Sequence, residues 1–368
     1  MPELPEEPVN REPDIARLTS TFLTPTHDAY DRNHGLQPHL DAATHQVRVD
    51  GAVAHILNLS MANLANDFEH HEVVCALQCA GNRRHTMRTK LKEVQGIDWT
   101  DAAVMNCKWR GPRLSDVLER AGIILAEEEQ ETAHVAFACH ATPCQEDTWY
   151  GASTPLARCL APAADVILAL HMNDEPLTVG HGFPVRVVTP GIAGARAVKW
   201  LDRITVQTRE SDNFYMQHDY KVLPEDAVDA ESAGKYWHTV PAVQEMPVNS
   251  TIVSPAEGAT IERDAEGCVT VEGYALPSGD NGPVVQVEVS VDGGETWTNA
   301  ELLRHDGEGK WSWMLWEAHL PIPGGGARCT IYSRATDRAG NTQPKQSQWN
   351  LRGVCYNGYG EAADVTIM

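Results

Sequence analysis

The chain has 368 residues, 42% hydrophobic and 22% charged, with 51 acidic against 29 basic side chains and a formal charge of −22. These proportions exclude intrinsic disorder, and roughly 150 residues per domain makes two domains the expectation. The acidity argues against nucleic acid or an anionic membrane surface as partner, leaving solubility or docking to a basic protein as its use.

The N-terminus, MPELPEEPVNREP, is acidic and proline-rich, and lacks the basic start and apolar core of a secretion signal. No apolar run approaches the ~18 residues of a membrane span. The expectation is a cytoplasmic protein, or a periplasmic one from which a signal peptide has been removed. Nine cysteines contain no C-x-x-C and no C-x-x-C-H, so neither a zinc ribbon nor a haem attachment site is expected. Most of these thiols read as small buried hydrophobes.

Up to about Tyr220 the pattern mixes helix and strand. Ala29–Gly35 (AYDRNHG) reads as a loop offering a guanidinium, an amide and an imidazole in succession. Taken alone, it is equally an ordinary polar loop. Val47–Arg48–Val49 reads as a strand. Leu77–Arg84 (LQCAGNRR) follows, with Cys79 among small residues and two arginines. Guanidinium charge favours an exposed thiolate, Gly81 lets backbone approach a ligand, and thiolate is a soft ligand for a redox metal. A buried structural cysteine beside a surface arginine pair is the alternative. Ser115–Ala121 reads as a helix stopped by Gly122.

Val185–Val188 reads as a further strand. It lies in a block running from His181 to Arg186 (HGFPVR) and from Pro190 to Leu201 (PGIAGARAVKWL). Glycines beside Arg186, Arg196 and Lys199 suit a nest for a phosphate or other anionic group. The block is neither a Walker A motif nor a dinucleotide fingerprint, and a strand-turn-strand with solvated charges is the alternative. Asp219–Tyr220–Lys221 places a phenol beside charges. Lys221 to Gln244 reads as a polar, irregular connection.

From Met246 the texture is all-β. Val269–Tyr274 and Val285–Val291 alternate, Asp292–Gly293–Gly294 supplies a hairpin turn, and Trp311–Trp313 and Cys329–Tyr332 continue the strands. This predicts an immunoglobulin-like sandwich, a module that usually binds or dimerises. Trp349–Gly353 (WNLRG) ends the series with an arginine able to reach back to the first half.

C-A-G-N-R-R, Y-G-A-S (Tyr150–Ser153), H-G-F-P-V-R…G-A-R-A-V-K-W-L, D-Y-K and W-N-L-R-G stand in this order from about Ala29 to Gly353. Together they resemble the sulfite oxidase family of molybdenum enzymes. The resemblance implies an α+β molybdopterin-binding domain at 1–240 and an immunoglobulin-like dimerisation domain at 241–368. It implies molybdenum on molybdopterin, with Cys79 the protein's ligand to the metal. Tyr30, Asp31, Arg32, Asn33, His34, His181, Arg186, Ala197, Val198 and Lys199 would hold the pterin and its phosphate. Arg32, Arg84, Trp99, Tyr220 and Arg352 would line the pocket of a small oxyanion, whose oxygens the forked donors of arginine match.

The implied reaction is oxidation of sulfite to sulfate by a homodimer. Its electrons would pass to a separate acceptor such as a cytochrome c, since no haem is expected in this chain. Two departures stand out. Some members carry a lysine just before the glycine matching Gly96, where this chain has Gln95, and a loop aspartate that contacts the pterin in animal members has no counterpart in Cys139–Cys144. A nitrate-reducing molybdenum domain is the nearest alternative, but it typically has Met where Arg352 stands. A methionine sulfoxide reductase relative lacks the all-β half, and a non-catalytic relative is opposed by intact Cys79, Tyr220 and Arg352.

Overall fold

The computed structural model describes residues 7–321 and 327–368. The first six residues of the acidic N-terminal stretch therefore lie outside what is described.

The first half is built on two sheets. In one, strand Gln46–Gly51 lies between Leu57–Ser60 and a parallel partner, Arg203–Gln207, and the sheet continues through His134–Cys139 to Tyr150–Pro155. Val47, Val49, Val135, Phe137, Ile204 and Val206 point from it into one apolar core. Helix Leu114–Ala121 closes that core. Its buried residues Leu114, Val117, Leu118 and Ala121 recur at intervals of three and four, which puts them on one face. Gly122 ends it at φ +70°, a conformation that costs glycine little.

The second sheet pairs His70–Gln78 with Val104–Pro112 along their whole length. Its alternate residues Val73, Cys75 and Leu77 bury against Met105, Cys107 and Trp109. One step past the strand, the Cys79 amide still donates to the Ala103 carbonyl at 2.9 Å. The thiol is thus carried on the end of a fully paired strand.

The second half is a sandwich. Asn249–Ser254, Cys268–Leu276, Met314–Pro321 and Glu301–Leu303 form one sheet. Thr260–Ile261, Gly360–Ile367, Ala327–Asp337, Val284–Ser290 and Thr298–Asn299 form the other. Val269, Val271, Trp316, Val287, Ile331 and Val365 fill the space between them. The strand and hairpin expectations hold here, with Gly293 and Gly294 both at positive φ.

Two expectations need correction. Trp311 and Trp313 are not in a strand but just before the one beginning at Met314. Both indoles are buried and turn to the first half, Trp311 Nε1 donating to Asp165 and Trp313 Nε1 to the Phe22 carbonyl. Lys221–Gln244 is more than a polar connection. It carries the short helix Ala230–Ala233 and buries Leu223, Ala227 and Ala233 against Met87, Val94, Trp349 and Leu351. Each half keeps its own core, and a further cluster joins them: Leu18, Phe22 and Val104 pack with Tyr274, Trp313 and Leu315.

Candidate active site

A cavity opens where the two sheets of the first half meet the Arg186–Trp200 segment. Cys79 lies in its wall and is only 5% exposed, so the side chain expected to be exposed is instead buried. Among the described residues, no Asp or Glu lines the cavity, while Arg32, Arg186 and Lys199 all do. A buried space with three cations and no carboxylate is built for an anion.

Most of the cofactor residues read from sequence converge here. Tyr30, Arg32, Asn33, His34, Cys79, His181, Arg186, Ala197 and Lys199 line the cavity, as does Tyr220. Asp31 and Val198 do not. Asp31 accepts from Arg11, and Val198 is a core residue whose carbonyl accepts from the Val187 amide.

Arg186 donates to the carbonyls of His181 and Ala197, and its buried Nε has no partner. A buried orphan guanidinium N–H beside a cavity is a place for an acceptor. Lys199 donates to the Gly180 carbonyl and to Asn33 Oδ1. Burial, with Arg186 beside it, lowers its pKa to about 7. Burial lowers that of His181 to about 4, so this ring is neutral. Its Nε2 meets the Thr26 carbonyl at 3.1 Å and therefore carries the proton. Backbone also comes close: a Cβ at Gly194 would sit 2.6 Å from the Tyr30 hydroxyl.

The substrate-side residues behave differently. Arg84, Arg352 and Trp99 do not reach the cavity wall. Arg84 donates to the carbonyls of Arg352, Gly353 and Ile97, and Gly81, Gly96 and Gly353 leave room for its side chain. Arg352 is ion-paired with Asp219 and touches Gln95 Oε1 at 3.3 Å. Trp99 is buried with its Nε1 unpartnered.

Tyr220 is tied to the cavity by a directional chain. Arg32 Nη2 lies 3.1 Å from His34 Nδ1, and His34 Nε2 lies 2.7 Å from the Tyr220 hydroxyl. Arginine only donates, so Nδ1 accepts and the ring proton sits on Nε2. Burial, then Arg32, hold the His34 pKa well below its ordinary value, keeping it neutral. Tyr220 thus accepts from His34 and keeps its own proton for another acceptor. Burial raises the phenol's pKa, so that proton stays on at neutral pH.

Sequence reasoning did not single out Thr142, Cys144, Tyr150, Ala195 or Trp200, which also line the cavity. Tyr150, Ala195 and Trp200 sit inside motifs already quoted, and Tyr150 donates to the Ala195 carbonyl. Cys144 is a second thiol in the wall, but burial pushes its pKa up to about 12. Arg196, expected in the anion nest, faces away. Its Nε and Nη1 bind the carbonyls of Val243 and Tyr215. Among the described residues, no group of three or more His, Cys, Asp or Glu is placed to hold a metal ion. A metal at Cys79 would need ligands from outside the protein.

Two family models match the chain: an oxidoreductase molybdopterin binding domain over residues 34–215 and a Mo-co oxidoreductase dimerisation domain over residues 240–363. Mitochondrial sulfite oxidase of Homo sapiens is 43% identical over 363 residues, covering 96% of this chain and 64% of that protein. Sulfite oxidase of Arabidopsis thaliana is 36% identical over 365 residues, covering 95% and 90%. A nitrate reductase [NADH] of Hordeum vulgare is 37% identical over 364 residues, covering 96% and 39%. The chain thus spans somewhat under two thirds of the mammalian relatives' length. Among solved structures, the sulfane dehydrogenase of Paracoccus pantotrophus shares the fold, with a TM-score of 0.74 at 24% identity over 94% of this chain and 81% of that one.

Proposed function

The chain belongs to the sulfite oxidase family of molybdopterin oxidoreductases, and from that premise we propose that it oxidises sulfite to sulfate and gives the electrons to a separate carrier. We set the catalytic domain at 1–240 and the dimerisation domain at 241–368, and take the protein to act as a homodimer. The balance is sulfite plus water to sulfate, two protons and two electrons.

The residues fit the cofactor. Arg186 and Lys199 offer donors to a pterin and its phosphate, His181 keeps Nδ1 as an acceptor for a pterin N–H, and Asn33, Tyr30 and the backbone of Ala197 complete the surround. Cys79 gives the one soft protein ligand, and Cys144 is held protonated by burial. When bound, the molybdenum centre supplies the two-electron redox chemistry. The chain does the rest. Arg32 fixes His34, His34 fixes Tyr220, and Tyr220 donates its proton to the oxyanion. Arg84, Arg352 and Trp99 stand outside the wall, with Arg352 held in reserve by Asp219. Burial of these side chains strengthens each of these hydrogen bonds.

The observation that carries the reading is the cation-lined, carboxylate-free cavity around Cys79. The test is metal analysis followed by turnover with artificial carriers. Expected are about one molybdenum per chain, fast ferricyanide reduction by sulfite, and little nitrate reduction by a reduced viologen. Nitrate turnover that outpaces sulfite turnover would replace this reading with the nitrate-reducing one.

A further inference from the structure

The aromatic rings around the cavity do not stop at its wall. His34 lines the cavity, and its ring centroid is 3.8 Å from that of Tyr215. Tyr215 is 5.4 Å from Phe214, Phe214 stacks on His218 at 5.1 Å, and His218 lies 5.8 Å from Trp237 and 5.9 Å from His238. Every step is within ordinary ring-contact distance. Trp237 is half-buried and His238 is exposed. The rings therefore form an unbroken contact path from the cavity to the surface. Part of it runs along the single π-helical turn Tyr215–Asp219, which ends beside Tyr220.

The surface at the outer end is charged and partly apolar. Glu225, Asp226, Asp229 and Glu231 are exposed on the segment leading to Trp237, where Lys235 neutralises only Asp226. Val222 and Val228 are exposed large hydrophobics on the same segment. Lys235 and Tyr236 hold Asp226 next to Trp237, so the outer end of the path lies beside an acidic segment, whose charge complements a basic protein.

Resting on the sulfite-oxidising reading, we infer that Trp237 and its acidic surround dock a small basic haem protein, and that the ring path from His34 to Trp237 is the electron outlet. Each sulfite oxidised delivers two electrons, which leave singly to two molecules of the oxidised haem protein. No bond forms or breaks along the path. Electrons tunnel more readily through atoms in contact than across gaps, and the rings supply that contact. Lys221 fixes the outer end by donating to the Trp237 carbonyl.

The test uses the holoenzyme with a basic cytochrome c. Trp237→Ala should slow sulfite-driven cytochrome c reduction several-fold while ferricyanide reduction is unchanged, and Trp237→Phe should restore it. Independently, the double variant Asp229→Lys with Glu231→Lys should weaken cytochrome c binding by about tenfold in calorimetry at low salt, with a shallower salt dependence. Unchanged cytochrome c reduction in Trp237→Ala would overturn the outlet, and unchanged binding in the double variant would overturn the docking face. If the unaltered protein reduces no ferricyanide with sulfite, the proposed activity fails instead, and the calorimetric arm still decides the docking face.

Discussion

At the scale of single residues, the site is organised by which groups can only donate. Arg32 cannot accept, so it sets the His34 tautomer, and the tautomer frees the Tyr220 proton. Cys79 has a different duty. Cys79→Ser should abolish sulfite turnover and leave the urea midpoint unchanged, because the side chain is nearly isosteric. Full turnover with serine would overturn the proposal that Cys79 is the metal's ligand. Arg352→Met should lower kcat/KM for sulfite by the equivalent of roughly 1–3 kcal/mol per charged hydrogen bond lost, and an unaltered value would take Arg352 out of substrate handling.

Lys199 adds a pH dependence. Its ammonium, lowered to about 7 by burial and Arg186, is present below that pH and lost above it. A bound anion raises the pKa again, so binding takes up a proton. Sulfate, whose charge is constant in this range, should bind the cofactor-free protein more weakly as pH rises from about 6 to about 8. Trp200, whose indole lies 4.8 Å from the Lys199 ammonium, reports the binding by fluorescence. A pH-independent affinity would count against Lys199 as the charge that is lost.

At the scale of elements, two neighbouring arginines do opposite jobs. Arg83 takes φ +66° to begin helix Arg84–Lys90, and that turn sends its side chain away from Arg84. Its guanidinium donates to Asn249 Oδ1 and to the carbonyls of Ser250, Gly358 and Tyr359, all in the sandwich half. Arg83→Met removes four donated hydrogen bonds at once, and of these acceptors Gln343 still donates only to Asn249 Oδ1 and the Gly358 carbonyl, so it should destabilise the protein by about 3 kcal/mol or more in urea melts. A change under about 1 kcal/mol would mean that water replaces the guanidinium.

The sequence carried the periodic elements well, since helix Leu114–Ala121 and the sandwich strands follow from local spacing. It carried the cavity residues through motif order, because those side chains come from distant segments and no local pattern joins them. What it missed depends on the meeting of the halves. Nothing local says that Trp311 and Trp313 turn to the first half, that Arg196 backs Tyr215 rather than an anion, or that Asp219 holds Arg352. Each is decided by which carbonyl or carboxylate arrives from another part of the chain.

At the scale of the molecule, the match of the last third to a dimerisation domain makes association of two chains the expectation. Light scattering at micromolar concentration should return twice the mass of one chain, and a stable monomer there would refute it. No helix among the described residues is long and apolar enough to cross a membrane.

The clasp of Arg84 by the Arg352 and Gly353 carbonyls also has a consequence in time. Arg84 follows Cys79 closely, but its partners are made only after the whole catalytic half and most of the sandwich have left the ribosome. Domains tend to fold in order of synthesis. The first half can therefore begin to fold before Arg84 has its last two acceptors, and the clasp closes only when the sandwich is almost complete.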